Sequence, residues 1–166
     1  AVGTCVKVAT DTWTWYGPAG TGYTGSLGSF AQGPTAISSM AELVNVVGTA
    51  PPSTSNFDIV NQSILYYTAN STVNFTINIR GTVSISFNSL VSVGQSVSLA
   101  LMVTNGTTPF YPNVFQIDGT AQSVKWIGGT PVTGGNASGI DVYTFNIIKT
   151  AATPTYTVLG VQNKFA

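Results

Sequence analysis

The sequence contains no histidine, a single cysteine and very little charge. Of its 166 residues only 6% are charged, and the five basic and five acidic side chains cancel to a net charge of zero. Ordinary soluble domains carry about 25% charged residues. Without a basic surface to neutralise phosphates, the chain is not expected to bind nucleic acid, and no polybasic segment favours an anionic membrane surface.

The absence of histidine and of a second cysteine excludes the commonest catalytic and metal-binding sites. A Ser–His–Asp or Cys–His triad requires a histidine, and a structural zinc site requires several Cys or His ligands. Cys5 has no partner for an internal disulfide, so we expect a reduced thiol in a small apolar niche, with an intermolecular bridge as the alternative. The sequence predicts no metal and no cofactor.

The five acidic residues offer little for acid–base catalysis. Glycoside hydrolysis, for example, needs two carboxylates in one cleft. The pattern assigns Glu42 to a helix cap, Asp118 to a turn and Asp58 to the start of a strand. Asp11 and Asp141 are then left, and we expect that the chain is not an enzyme.

Long apolar runs are also absent. No stretch approaches the roughly 18 apolar residues of a membrane-spanning helix, so membrane insertion is not expected. The first residues lack the basic and apolar regions of a signal peptide. Polarity comes instead from Thr, Ser, Asn and Gln. A surface with so little charge is poorly protected against self-association, which favours a chain that works within an assembly; the alternative is an extracellular β-domain kept soluble by hydroxyl groups.

Alternation of apolar and polar residues dominates the chain from Asn56 onward. It is strictest in residues 73–80, and it resumes in residues 83–87 and 97–103. Four further strand-like runs occupy residues 113–117, 123–127, 140–149 and 155–161. With a further run at 59–68 and a possible strand at 4–10, the count is about nine, at the short spacing of sandwiches and barrels.

Glycine turns separate these runs. Asn105-Gly106 and Asp118-Gly119 are typical of tight hairpins. Because alternating strands have one wet face, they argue against a parallel sheet that is buried on both faces. The sequence therefore predicts an all-β protein, an antiparallel two-sheet β-sandwich of jelly-roll type over residues 37–166.

One helix is predicted, over residues 39–47 at the edge of this domain. Ser39 and Glu42 have the spacing of a capping box, in which each side chain reaches a free backbone N–H of the first turn. Apolar residues recur behind them at helical spacing, and Gly48 ends the pattern. The helix would close one end of the sandwich.

Residues 1–36 are predicted to form an extended N-terminal arm. The segment combines large aromatic side chains with a glycine-rich stretch that suits neither a helix nor a central strand. We expect it to dock on a neighbouring subunit; a loop packed on its own domain is the alternative. The residues expected at the interface are Trp13, Trp15, Tyr16, Tyr23 and Phe30. Exposed rings of this kind could instead stack on sugars.

Three residues are predicted to act as structural anchors. Asp118 forms a turn, and Asp141 pins the glycine-rich connection before the longest strand by accepting hydrogen bonds from loop N–H groups. A Ca²⁺ site at these two carboxylates is a less favoured alternative. Lys125 could place its ammonium against either of them. Trp126, the third anchor, is expected to be buried in the core.

The last third of the chain also resembles a known family. The likeness is carried, in order, by FQIDGT at 115–120, KWIGGTP at 125–131, IDVYTF at 140–145, IIKT at 147–150 and YTVLG at 156–160. These strings are similar to a β-module of tailed-phage virion proteins, such as the structural and fibre-like proteins of cyanophages. The resemblance implies a virion structural protein without catalytic residues.

The expected function is therefore a compact projecting or decorating unit on the exterior of a tailed-phage particle, either a knob, spike or fibre-like appendage of the tail or a decoration of the capsid. Its expected partners are other copies of the chain, as a homotrimer, and other virion proteins, with a host-surface glycan as a further possibility. The alternative is a free carbohydrate-binding β-sandwich module.

Overall fold

A computed structural model of the chain describes residues 4–9, 12–16 and 41–166, which fall into two units, 1–40 and 41–166. The first unit contains an antiparallel hairpin of β1 (Thr4–Ala9) and β2 (Thr12–Tyr16). The strand predicted at 4–10 is therefore present, and the aromatic run that follows it forms the second strand. The glycine-rich part of the predicted arm, residues 17–36, lies outside the described residues.

The second unit is built almost wholly of strands, so the all-β prediction is confirmed. Its elements are β3 (Val44–Val47), β4 (Thr54–Asp58), β5 (Ile64–Tyr67), β6 (Phe75–Arg80), α1 (Phe87–Leu90), β7 (Ser96–Thr104), β8 (Pro112–Ile117), β9 (Thr120–Ala121), β10 (Val124–Trp126), β11 (Ile140–Ala151) and β12 (Thr155–Phe165). A single 3-10 turn at Ile127–Gly129 follows β10.

The strands form two sheets that pack against each other. The six-stranded sheet has the order β10-β12-β11-β7-β5-β3, and the four-stranded sheet has the order β4-β6-β8-β9. From β3 to β8 the chain crosses to the opposite sheet after every strand. Each return adds a strand in the same direction as the last one in that sheet, so β3-β5-β7 and β4-β6-β8 run parallel.

Strand direction therefore departs from the predicted antiparallel arrangement. Among the described strands of residues 41–166, only β7-β11-β12 and β8-β9 are antiparallel, while β10 runs parallel to β12. Alternation reports that one face of a strand is wet, which argues only against a parallel sheet that is buried on both faces. In this chain the parallel strands also keep one outward face, because each sheet is covered by the other sheet on one side only.

The helix predicted over 39–47 is wrong for the described part of that range. Residues 41–43 are irregular and Val44–Val47 is the edge strand β3, paired with β5. Its β-branched residues suit a strand, and Val47 turns towards the core while Val46 is 61% exposed. Glu42 accepts a hydrogen bond from Ser63 Oγ at 3.4 Å instead of capping a helix.

Two further local predictions are also corrected. Residues 83–87 do not form a strand, because Val83 and Ile85 lie in an exposed loop and Phe87 opens the short helix α1. Asn105-Gly106 does not close a hairpin, since the chain leaves β7 here and crosses to the other sheet. The Asp118-Gly119 turn between β8 and β9 is confirmed: both residues have positive φ, 49° and 77°.

The core lies between the two sheets. The largest fully buried side chains come from both of them: Phe57, Leu65, Phe75, Ile77, Ile79, Phe87, Leu101, Val103, Ile117, Tyr143, Phe145 and Ile147. Phe145 and Phe115 link the sheets, with their ring centroids 4.7 Å apart. Three of these side chains lie on β11, which is one of the two central strands of the six-stranded sheet.

Trp126, predicted to be buried in the core, packs against the edge of this core and is half-buried. It lies on the short edge strand β10, with its ring centroid 5.8 Å from that of Phe145. Gly160, on the neighbouring strand, makes room for the indole: a Cβ there would lie 3.0 Å from Trp126 Cε3 and 2.6 Å from Val124 Cγ1.

Candidate functional site

The Asp141 carboxylate is fully buried at the start of β11. Its Oδ2 accepts hydrogen bonds from Asn105 Nδ2 and from the main-chain N–H of Asn136, both at 2.8 Å. Its Oδ1 accepts a third from Gln162 Nε2 at 3.1 Å. A buried carboxylate is costly unless donors replace its hydration, and three donors do so here. This is the loop-pinning contact that the sequence predicted for Asp141.

The network continues through Asn105. Its Oδ1 accepts hydrogen bonds from Ser71 Oγ and from the main-chain N–H of Phe110. Gly135 allows the glycine-rich loop to approach: a Cβ there would lie 2.6 Å from Phe110 O and 2.9 Å from Asp141 Oδ2. Four separate segments of the chain are thus held together around one carboxylate, which gives Asp141 a structural role.

Asp118 and Lys149 bracket the single-turn helix α1. The Asp118 carboxylate accepts hydrogen bonds from the first N–H groups of the helix, those of Phe87 at 2.7 Å and Asn88 at 3.0 Å. Lys149 is buried, and its Nζ donates to the carbonyls of Asn88 and Val91 at 2.8 Å each. An anion at the N-terminus and a cation at the C-terminus both satisfy helix ends that lack partners.

The charged side chains of Asp118, Asp141 and Lys149 therefore hold loops and helix α1 in place. Asp118 and Asp141 belong to separate hydrogen-bond networks, and no group of three or more metal-ligating side chains occurs in the part of the chain that the structure describes. Lys125 is exposed and pairs with neither carboxylate. Among the described residues, the one ion pair joins Arg80 and Asp58, 2.6 Å apart and partly exposed. No described helix is long and apolar enough to cross a membrane.

The residues predicted for the arm interface are only partly placed. Trp13, Trp15 and Tyr16 lie on β2 of the hairpin, whereas Tyr23 and Phe30 fall outside the described residues. Within residues 41–166, the surface features that stand out are a groove and the outward face of the six-stranded sheet.

The groove has a volume of about 1010 Å³ and lies beside the Asp141 network. Side chains with amide, hydroxyl or aromatic groups line it, among them Asn70, Thr104, Thr107, Phe110, Ser138 and Phe165. None of its side chains is charged. The Thr104 hydroxyl is buried here and has no hydrogen-bond partner among the described residues. We call this feature the end groove.

The central part of the outward face of the six-stranded sheet is apolar, although the other face of this sheet already covers the core. The row beyond it is polar, because it holds Lys125 and the hydrogen-bonded pair Asn146 and Ser98. Two cross-strand rows define the apolar part, and we call them together the apolar face. One row consists of Val46, Tyr66, Met102, Val142 and Asn163, and the next of Val44, Ile64, Ala100, Thr144 and Val161. Eight of these ten residues are apolar or aromatic, and none is charged.

The outward face of the four-stranded sheet is of the opposite kind, and we call it the polar face. Asn78 Nδ2 donates to Asn56 Oδ1 at 2.9 Å across neighbouring strands, and the Arg80–Asp58 ion pair lies in the next row. Val114 is the exposed apolar residue of this face, at 38%. The two outer surfaces of one sandwich therefore differ sharply in polarity.

Sequence reasoning missed Asn105, Gln162 and Lys149. Asn105 lies 36 residues before Asp141, and Lys149 contacts main-chain carbonyls about 60 residues away in sequence, at separations of 61 and 58. The available signal was the placement of polar side chains on the core-facing positions of β11 and β12. Such a position predicts a satisfied polar group, but it does not identify the partner.

Comparison with known proteins finds no matching family model, no matching curated protein and no matching solved structure. Function is therefore inferred from the geometry described above.

Two buried tyrosines predict a loss of stability at alkaline pH. Burial, reinforced by the negative charge of Asp141, raises the pKa of the Tyr143 hydroxyl, and burial also raises the pKa of Tyr67. In the unfolded chain both titrate near their ordinary value of 10.0. Above that pH the unfolded state binds fewer protons than the folded state, so the free energy of unfolding falls as pH rises.

Urea denaturation at several pH values between 8 and 11.5 measures this effect. We expect little contribution from these two groups below pH 10 and a steady decline above it. Tyr143→Phe removes one of the two groups and should flatten the decline. An identical slope in the variant would show that Tyr143 is not responsible.

Proposed function

We propose that this chain is a non-enzymatic structural subunit of a tailed-phage particle, forming a compact projecting or decorating unit on its exterior. The observation that carries the proposal is the apolar face. Contiguous apolar surface on a soluble protein marks a place where another protein binds. A fold that presents eight apolar or aromatic residues outward on one sheet, and polar residues on the other, suits a subunit that is covered on one side and wet on the other.

The structural roles of the buried charged side chains support the same proposal. The buried charged side chains of the described residues, Asp141 and Lys149, are engaged in hydrogen bonds that fasten loops and a helix. They are therefore not free to act as acid, base or nucleophile. A rigid β-fold whose buried polar groups are engaged in structural hydrogen bonds suits a structural subunit of a particle.

The phage resemblance noted in the sequence supports the particle as the setting. The matching strings fall on β8 to β12 and their turns, and β11 and β12 contribute Val142 and Val161 to the apolar face. The proposal can be tested by purifying the particles that carry this gene on a density gradient. We expect peptides of this chain in the particle band at a fixed copy number after a high-salt wash. Recovery only from the soluble fraction would overturn it.

The N-terminal arm is proposed as a second attachment site. A core cluster lies wholly within residues 57–158, so deletion of residues 1–36 should leave the β-domain folded by circular dichroism. Incorporation into particles should be lost, because the aromatic residues of the arm are proposed to bind the neighbouring subunit. The full-length chain is the control. If the truncated chain unfolds, the arm belongs to the fold; if it still incorporates normally, attachment lies elsewhere.

A carbohydrate-binding module is the second candidate function, and the end groove favours it. An uncharged groove with amide and hydroxyl groups, two aromatic residues and the unpartnered Thr104 hydroxyl suits a neutral sugar. Titration calorimetry against neutral oligosaccharides tests this candidate, with Asn70→Ala as the groove variant and the exposed Asn61→Ala as its control. If the wild type and Asn61→Ala bind an oligosaccharide and Asn70→Ala does not, the carbohydrate-binding function is supported. If no neutral oligosaccharide gives a heat of binding with the wild type, this candidate function is excluded.

A further inference from the structure

We propose that the apolar face is covered by a second copy of the same chain. This inference rests on the proposed function, since it names the partner that the face binds. It makes the chain a homo-oligomer in solution before any other particle protein is present.

The first argument for a second copy is charge. Surfaces of ordinary soluble proteins carry charged side chains, and a charge buried against an apolar face without a partner is strongly unfavourable. The ten residues of the apolar face include no charged side chain. An identical face, from a chain that is only 6% charged, meets this requirement. Self-association places apolar residues against apolar residues and leaves no ion unpaired.

The second argument is area. Strands about 4.8 Å apart and side-chain rows about 6.8 Å apart give the two rows of the apolar face roughly 330 Å² over five strands. The two flanking rows, which contain the polar Thr104, Ser98 and Asn146 as well as the exposed Leu159 and Phe165, raise this to roughly 500 Å². Two copies in contact over all four rows would bury about 1,000 Å², which is the lower limit for a specific protein interface.

The third argument is the edge strand. β3 is short and pairs only with β5 among the described strands. It exposes Val44 and Val46 at 41% and 61%, and Leu43, directly before it, is exposed at 65%. Exposed apolar edge strands promote association unless they are covered. Because β3 borders the apolar face, one partner can cover the face and the edge together.

The difference in polarity between the two outer faces also limits the number of copies in the assembly. The polar face, with its amide pair and its ion pair, offers no second apolar surface on which further copies could stack. Face-to-face contact therefore closes as a twofold dimer instead of growing into a filament. The homotrimer predicted from the sequence would instead need a head-to-tail contact between two different surfaces of the chain.

Size-exclusion chromatography with multi-angle light scattering tests the inference on the full chain. We expect the wild type to be an oligomer at micromolar concentration. Val142→Glu places a charge in the middle of the apolar face and should raise the dissociation constant at least about 100-fold, because a buried unpaired charge opposes association. Val114→Glu makes the same change on the polar face and should leave the oligomer intact.

A second pair of variants guards against misfolding of Val142→Glu. Val46 and Val60 are both highly exposed, at 61% and 55%, so glutamate at either position is compatible with the folded chain. Val46→Glu, on the apolar face, should dissociate the oligomer, whereas Val60→Glu, in the loop after β4, should not. Circular dichroism confirms folding of all four variants.

The outcomes separate this inference from the proposed function. A monomeric wild type, or equal masses for Val46→Glu and Val60→Glu, would overturn self-association through this face. If the monomeric wild type is still found in particles and Val46→Glu is not, the face binds a different particle protein and the proposed function stands. If the wild type is an oligomer but is absent from particles, self-association stands and the proposed function fails.

Discussion

Replacing Asp141 with alanine should lower the free energy of unfolding by about 3–5 kcal/mol, because removal of one partner leaves buried polar groups without compensation. Three donors lose their acceptor at once: Asn105 Nδ2, the Asn136 N–H and Gln162 Nε2. The loops that these groups fasten should loosen together. Urea denaturation followed by tryptophan fluorescence measures the change.

Asp58→Ala is the matched control for this prediction. The Asp58 carboxylate also lies close to its partner, at 2.6 Å from Arg80, but both side chains are partly exposed. Partly exposed ion pairs contribute up to about 1 kcal/mol, so this variant should unfold near the wild-type midpoint. Equal losses in the two variants would show that the buried network has no special role.

Replacing Phe145 with alanine should cost about 3–5 kcal/mol, as expected when a buried aromatic ring is removed from a core. Phe145 is fully buried on β11, and its ring contacts Phe115 across the sheets and Trp126 at the edge. The cavity would open at the point where the two sheets meet. The melting temperature and the urea midpoint should both fall.

Trp126→Ala provides the comparison within the same aromatic cluster. Trp126 is half-buried on an edge strand, so it loses less contact area on truncation, and we expect a cost of about 1–3 kcal/mol. If Trp126→Ala were more destabilising than Phe145→Ala, the indole would be the true centre of the cluster. The sequence-based view of Trp126 as a buried core residue would then be correct.

The sequence predicted the elements that depend on local physics. Alternation identified β6 and β7 because each has one face in the core, and the Asp118-Gly119 turn followed from the need for positive φ at both positions. The position of Asp141, directly after a glycine-rich loop, was enough to predict that its carboxylate would bind loop N–H groups.

Other features depended on distant contacts that no local pattern encodes. The spacing of Met40, Val44 and Val47 fits a helix, but residues 44–47 form a strand because they pair with β5. Strand direction was set by the crossing of the chain between sheets, which alternation does not report. Asn105 resembled a turn residue and proved to be a buried partner of Asp141, because a residue far along the chain supplied the carboxylate.

The apolar face was hidden for a related reason. Ala100, Met102 and Val142 occupy the outward positions of central strands, where the sequence shows mostly uncharged residues on both sides. Only the cross-strand register brings these residues into two adjoining rows. A face that spans five strands therefore becomes visible when the sheet order is known, not when the strands are considered singly.

The most direct test of the assembly role is the position of this chain in a cryo-EM map of the intact particle. We predict that the apolar face, with Met102 and Val142 near its centre, is covered by a neighbouring subunit. The polar face, with Asn56, Asn78 and the Arg80–Asp58 pair, should be open to solvent. A map in which the apolar face is open to solvent and the polar face is covered would contradict this account.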